Sequence, residues 1–350
     1  MPETENKIPA GSGAAAAANE PQKGPAPAAS PEPLLEIEHL KTYFPVKSGL
    51  WGRTKAHVKA VDDISLTLRA GETFGLVGES GSGKSTVGRS IVRLTDKTAG
   101  EIRYRGQDLY AMPERELRRL RPKIQLIFQD PYSSLNPRVR IGDAIGEAML
   151  QHGLASPDNV REQVLEVLEL CGLPRYHIDR FPHEFSGGQR QRVGIARALA
   201  MNPDLIIADE PVSALDVSIQ AQIINLFRKL QRERGLTYLF ISHDLSVVEH
   251  LCSRIGVMYL GSMVETAPRA ELFGNPLHPY TKALLSAVPV PVPKLKRERI
   301  VLQGDIPSPV NPPSGCKFHT RCPLAFDRCK AEVPEFRDMG GEHFVACHLA

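Results

Sequence analysis

One stretch decides what this chain can fold into: Thr73-Phe74-Gly75-Leu76-Val77-Gly78-Glu79-Ser80-Gly81-Ser82-Gly83-Lys84-Ser85-Thr86. A short apolar strand, Phe74 to Val77, breaks into a glycine-rich turn, and a helix is predicted from Ser85 to Leu94. Gly78, Gly83, Lys84 and Ser85 fill the G-x-x-x-x-G-K-[ST] spacing of a phosphate-binding loop. Glycines let the backbone curl until successive N–H groups point inward, and the helix dipole adds positive potential at the same point. Lys84 is placed to reach β- and γ-phosphates, and the Ser85 hydroxyl to join Mg²⁺. The whole run from Gly78 to Thr86, with Glu79, Ser80, Gly81 and Ser82, is thus a candidate nucleotide cradle.

A strand–loop–helix of this kind fits an α/β core, and the rest of the chain supplies one. Leu34 to Phe44 and Val61 to Arg69 alternate as strands, with a loop expected from Lys47 to Lys59 around the lone tryptophan, Trp51. Together they suit a small antiparallel sheet on the base side of a nucleotide. Ile124 to Phe128 is an apolar strand ending at Gln129, and Pro131, Asn136 and Pro137 force a loop after it. From Ile141 to Arg197 the period turns helical; Leu205 to Ala208 and Thr237 to Ile241 return to buried strands, with an amphipathic helix marked by Ile219, Ile223, Leu226, Phe227 and Leu230 between them.

The buried-type strand Leu205–Ala208 ends in Asp209-Glu210. Adjacent residues diverge at a strand end, so one carboxylate can hold a metal while its neighbour polarises an attacking water. A second anion site opens at Phe185-Ser186-Gly187-Gly188-Gln189, where a serine and two glycines start a helix. Two phosphate-binding helix starts with one lysine-bearing loop suggest that the second serves a nucleotide held by another subunit.

Composition narrows the classes. A net charge of +3 over 350 residues does not argue for nucleic acid. No apolar run reaches the ~18 residues needed to span a bilayer, so any membrane role is expected through a partner. Residues 1–33, rich in Ala, Pro, Gly and Ser, read as a disordered tail without an export signal, which makes the expected compartment cytosolic and the six cysteines free, catalytic or metal-binding rather than disulfide-bonded. Beyond about Gly274 proline becomes dense, and Cys316, Cys322, Cys329 and Cys347 stand in a C-x5-C-x6-C-x17-C arrangement, predicting a separate appendage. Four thiolates suit zinc or an iron–sulfur cluster; the gaps are wide for zinc, while His319, His343 and His348 keep a mixed zinc site open. Cys171 and Cys252 fall on apolar faces and read as core.

In their order and spacing, the phosphate loop, Gln129, Ser186-Gly187-Gly188-Gln189, Asp209-Glu210, Ser213-Ala214-Leu215-Asp216 and His243 resemble an ATP-binding cassette (ABC) ATPase over about residues 34–274. The resemblance implies a P-loop NTPase fold: a RecA-like core, an antiparallel β subdomain and a helical subdomain at about 130–197, followed here by a small extension at 275–350. It implies that Glu210 is the general base, that Gln129 senses metal and water, that His243 meets the γ-phosphate, and that Ser85, Gln129 and Asp209 hold Mg²⁺. Ser186 and Gly188 would contact the opposite subunit's nucleotide, Asp216 would link the two sites, and an aromatic of the first strand, Phe44 with Tyr43 in reserve, would stack on adenine.

Phe128-Gln129-Asp130-Pro131, Ser133-Ser134-Leu135-Asn136-Pro137-Arg138, Glu210 to Ser218, Asn275-Pro276-Leu277-His278-Pro279-Tyr280-Thr281 and the tail from Gly304 to Cys347 look like the second of the paired ATPases of bacterial dipeptide/oligopeptide importers. That implies uptake of peptides with a related but non-identical paired ATPase, two transmembrane permease subunits and an extracytoplasmic peptide-binding protein, at the cytoplasmic face of the inner membrane, without nucleic acid. It also associates the four cysteines with a [4Fe–4S] cluster, zinc being the alternative. Similar ATPases serve nickel and other small solutes, and a soluble ABC ATPase acting on nucleic acid is a further alternative.

Overall fold

A computed structural model describes residues 33–48, 53–130, 134–288 and 299–350. The expected disordered tail up to residue 32, Trp51, Pro131, Ser133 and the prolines Pro289, Pro291 and Pro293 lie outside the described residues. Two sheets carry the fold. The smaller is antiparallel, in the order β2 (Arg53–Arg69), β1 (Pro33–Ser48), β4 (Ala99–Tyr104), β5 (Gln107–Asp108). The expected loop from Lys47 to Lys59 is instead mostly hairpin: Phe44 pairs with Val58 and Ser48 with Arg53, so both strands run well past the point where alternation faded.

The larger sheet has a parallel centre. In spatial order it runs β9 (Arg254–Tyr259), β3 (Thr73–Val77), β8 (Thr237–Ser242), β7 (Leu205–Asp209), β6 (Ile124–Ile127), each parallel to its neighbour. Every residue of β3, β7 and β8 is buried, because helices cover both faces. That burial is why these strands read as unbroken apolar runs rather than alternating ones. One face carries α1 (Lys84–Ile91), whose Val87 and Ile91 pack with Leu76, Ile207 and Ile241 in one core that also joins the small sheet. The other face packs on α5 (Gly187–Leu199), α6 (Val217–Arg234) and α7 (Leu245–Leu251). The same core takes in α3 (Ile141–Gln151) and α4 (Val160–Leu170), which form the helical insertion. Residues 95–123, for which the sequence offered no assignment, hold β4, β5 and a short helix, α2 (Glu114–Leu120).

The proline- and cysteine-rich end is less separate than its composition predicts. Residues from Glu32 to Ala350 form one compact unit. Beyond β9 the large sheet continues antiparallel through β10 (Ser262–Pro268) and then through two short strands of the extension, β12 (Phe344–Val345) and β11 (Arg337–Asp338). Between them lie α8 (Arg269–Gly274), α9 (Pro279–Ser286) and α10 (Asp327–Ala331). The buried carboxylate of Glu265 on β10 accepts from the backbone N–H groups of Leu277 and His278 at 2.7 and 3.0 Å, and His343 Nε2 lies 2.7 Å away. A core built from the sheet's edge gives the extension what its own sequence lacks.

His278 caps α9, its Nδ1 accepting from the Tyr280 N–H at 3.0 Å. Burial pushes its pKa from 6.5 down to about 3. It therefore stays neutral in the fold while the unfolded chain takes up a proton below pH 6.5, so its contribution to stability is present above that pH and is lost as pH falls toward 3. The expected loss is about 1.4 kcal/mol per pH unit across that window. Thermal melts from pH 7 to 4 should show a shallower acid slope for His278→Asn than for the wild type. Parallel slopes would contradict the assignment.

Candidate functional site

The phosphate loop leaves β3 through Gly78 and enters α1 after Gly83, at φ values of 151° and 101°, in the left-handed half of backbone space. A Cβ on Gly83 would lie 2.0 Å from the Ala60 carbonyl oxygen, so β2 presses against the loop too closely for any side chain. No side chain caps α1, whose N-cap is Gly83 of the loop, so the helix start is left open to an anion. Lys84 is buried and donates from Nζ to the carbonyls of Gly78 at 2.8 Å and Glu79 at 3.0 Å. Burial lowers its pKa, opposed by the carboxylates of Glu210, Asp209 and Glu79. A buried ammonium resting on carbonyls is poised for the stronger partner that a phosphate offers.

Ser85 donates its hydroxyl to Asp209 Oδ1 at 2.7 Å. Two oxygen ligands thus meet where α1 and β7 touch, a donor set that suits Mg²⁺. Burial pushes the Asp209 carboxyl up, with the Ser85 bond pulling partly back. Next along the chain, Glu210 sits at φ 47°, strained for a residue with a Cβ, and its N–H donates to the Ile241 carbonyl at 3.0 Å. That turn aims its side chain across to β6 and β8. Gln129 Nε2 donates to Glu210 Oε2 at 2.8 Å, and His243 Nδ1 stands 3.2 Å from the same oxygen. Two residues from the ends of β6 and β8, Gln129 lying 81 positions before Glu210 in the chain, thus converge on the carboxylate at the end of β7.

Above them lies a cavity of about 530 Å³ whose walls include Ser80, Gly81, Gly83, Lys84, Ser85, Thr86, Gln129, Glu210 and His243, with Ala60 closing one side. A carboxylate held by an amide and an imidazole, beside a buried lysine and a Ser/Asp oxygen pair, is the arrangement needed to orient water against a terminal phosphate.

The profile of the ABC transporter family matches residues 61–213, and that of the oligopeptide/dipeptide transporter C-terminal region matches residues 264–329. The oligopeptide transport ATP-binding protein AppF of Bacillus subtilis is 57% identical over 92% of this chain and 99% of its own length. The chain belongs to the ABC family of oligopeptide transport ATP-binding proteins. The putative oligopeptide transport protein YkfD of the same organism is 55% identical over 91% of this chain and 95% of its own. Among solved structures, the ATP-binding cassette MJ0796 in a dimeric post-hydrolysis state bound to ADP and Pi is 30% identical, with a TM-score of 0.60 over 67% of this chain and 98% of that one. The fold is that of a P-loop ABC ATPase, and the cassette hydrolyses ATP with Mg²⁺.

Other residues expected in the site take up different places in this cassette. Ser186, Gly187, Gly188 and Gln189 are not among the residues lining the cavity. They start α5, where Ser186 Oγ accepts from the Gln189 N–H at 3.4 Å and Gln189 Oε1 accepts from the Ser186 N–H at 3.0 Å, a reciprocal cap on an exposed turn. A Cβ on Gly188 would meet Ile219 Cγ2 at 2.4 Å, so the glycine is what lets α5 lie against α6. Asp216 is exposed at the N-terminus of α6 without a side-chain cap. Phe44 is 40% exposed on the β1–β2 hairpin, whereas the Tyr43 hydroxyl is tied to Asp62.

The four tail cysteines are free, with Cys329 and Cys347 buried. Burial pushes the Cys316 thiol up to about 11, with Cys329, Cys347 and Cys322 adding to the rise. The sequence nonetheless predicts more than the geometry holds. Among the described residues no three His, Cys, Asp or Glu side chains form a metal-holding group. His319 Nδ1 lies 2.8 Å from the Cys316 carbonyl oxygen, His343 Nε2 faces Glu265 and His348 Nε2 lies 3.0 Å from the Glu332 carbonyl oxygen, so the imidazoles of a mixed zinc site are engaged elsewhere. Cys171 and Cys252 are both core residues.

Sequence reasoning overlooked the supports behind the loop. The Glu79 N–H donates to the Tyr280 hydroxyl at 2.9 Å, and the Glu79 carboxylate is gripped by Arg321, 242 positions away. Nothing in the local pattern announces a contact across that separation.

Proposed function

We propose that this cassette drives peptide uptake as the ATP-hydrolysing subunit of an importer. The reading rests most on one observation: Gln129 and His243 meet on Glu210 at the mouth of the phosphate cavity. In this account two cassettes close around two nucleotides. Lys84 and the loop N–H groups hold the β- and γ-phosphates, and Glu210 accepts the proton of the attacking water. Gln129 orients that water and His243 steadies the terminal phosphate. Ser85, Asp209 and Gln129 would hold Mg²⁺, which would supply positive charge to the phosphates. Phe44, exposed where Tyr43 is not free, stacks on adenine. Ser186 and Gly188, absent from this chain's own cavity, complete the site of the opposite cassette, and Asp216 sits between the two.

Peptide as substrate is carried over from the likeness to AppF and its relatives. So are two permease subunits in the membrane, a peptide-binding protein outside it and a position on the cytoplasmic face. No helix among the described residues is long and apolar enough to cross a bilayer, so attachment would be peripheral. A groove of about 420 Å³ beside Gln129 suits a permease segment: it runs between β6 and α5 and includes Phe128, 39% exposed, and Leu94, 61% exposed. The partner cassette is taken to be a related, non-identical chain. Co-purification with permease subunits is the expected result from membranes. Recovery with nucleic acid instead would overturn the reading.

For the tail, the proposed occupant of Cys316, Cys322, Cys329 and Cys347 is a [4Fe–4S] cluster. The number of thiols supports it, whereas among the described residues they form no metal-holding group. Chain purified without oxygen should carry about four irons with matching sulfide and a broad band near ~400 nm. Stoichiometric zinc, or no metal, would contradict this assignment while leaving the ATPase intact.

A further inference from the structure

Residues 309 to 321 run back over the cassette and take hold of the segments that shape the nucleotide site. The Pro309 carbonyl accepts from the Lys59 N–H at 3.0 Å, next to Ala60 of the cavity wall. Lys317 Nζ donates to Asp62 Oδ2 at 2.8 Å and Ser262 Oγ at 2.6 Å. Phe318 is 1% exposed and packs with Tyr259 and Tyr280, ring centroids 5.2 and 5.3 Å away. On that aromatic platform lies Arg321, whose guanidinium is 5.8 Å from the Tyr259 centroid. Its two terminal nitrogens donate to the two carboxylate oxygens of Glu79, at 2.7 and 3.1 Å. Arg321 is 8% exposed and Glu79 26%, so the pair is largely out of water.

Glu79 is the residue after Gly78, and three groups fix it. Tyr280 takes its N–H, Lys84 its carbonyl and Arg321 its carboxylate. Left unpaired, a carboxylate at this point would repel the triphosphate and compete for Lys84, at a separation and burial where charge is weakly screened. The planar fork of arginine both neutralises it and fixes the direction in which the loop leaves β3. A lysine would supply the charge without the second bond.

We infer that Arg321 of the C-terminal extension is a positioning residue for ATP, setting nucleotide affinity by clamping the phosphate loop through Glu79. The extension is on this view part of the nucleotide site's architecture. The inference rests on the reading of Gly78–Ser85 as the phosphate loop.

The test is ATP affinity and steady-state hydrolysis of the full chain, alongside thermal melts. Arg321→Met should weaken ATP binding about tenfold, with KM rising in step and kcat within about twofold. Arg321→Lys should fall between it and wild type. The double variant Glu79→Gln with Arg321→Met, which removes both charges, should recover to within about threefold of wild type, because the cost lies in the stranded carboxylate. A merely structural clamp would lower the melting temperature and leave KM unmoved. Unchanged affinity in Arg321→Met, or a double variant as weak as the single one, overturns the inference; should Arg321→Met not fold, the lysine and double variants decide it. Lys84→Ala separates the two claims. If it binds ATP normally, the phosphate-loop reading fails; if it loses ATP while Arg321→Met keeps it, the clamp alone fails.

Discussion

Glu210→Gln is expected to cut ATP turnover by about 10³-fold while leaving ATP affinity within a factor of about three. The amide keeps the volume of the side chain and an oxygen to accept from Gln129, so the site should keep its shape. What disappears is the proposed proton acceptor. Glu210 stands in a left-handed backbone conformation, which a residue with a Cβ adopts only where the surroundings enforce it. Here the Glu210 N–H is bonded to β8 and the side chain is drawn toward Gln129 and His243. Phosphate release and nucleotide binding, measured side by side, separate the two properties. Turnover within tenfold of wild type would remove Glu210 from the role of base and leave the strain without a purpose.

Ser186→Arg should lower hydrolysis by the assembled pair about 100-fold, yet leave ATP binding to the chain alone essentially unchanged. Ser186 lies on an exposed helix start outside its own chain's cavity, so an arginine there cannot obstruct that cavity. It would block an incoming nucleotide presented by the other cassette. The loss of the cap to Gln189 adds about 1 kcal/mol of destabilisation, to be read separately from melting curves. If binding to the chain alone falls as far as hydrolysis does, the signature turn acts on its own chain's nucleotide and the two-cassette account is wrong.

The parts of this molecule that were legible in the sequence are those where chemistry forces local pattern. Gly78, Gly83 and Lys84 are dictated by a backbone that must curl around phosphate, and Asp209-Glu210 by a buried strand that must deliver carboxylates at its end. Strands β3, β7 and β8 read as apolar runs because both faces are covered. The hairpin through residues 53–59 was missed because its strands project beyond the core and lose their alternation, with Phe44 and Val46 exposed. The tail read as separate because proline density and a thin apolar content describe its own residues, whereas its stability is borrowed from β10, Glu265 and the aromatic platform. Contacts such as Arg321 with Glu79 leave no periodic trace at all. The cysteines show the converse: their spacing suggests a metal site that the geometry of the described residues does not display.

The most direct measurement is ATP-dependent accumulation of labelled peptide in vesicles containing this chain, its paired cassette, both permease subunits and the peptide-binding protein. The account predicts uptake that requires ATP, hydrolysis that rises when peptide-loaded binding protein is added, and loss of both with Glu210→Gln. Hydrolysis indifferent to peptide, or uptake of nickel or another solute in its place, would contradict it.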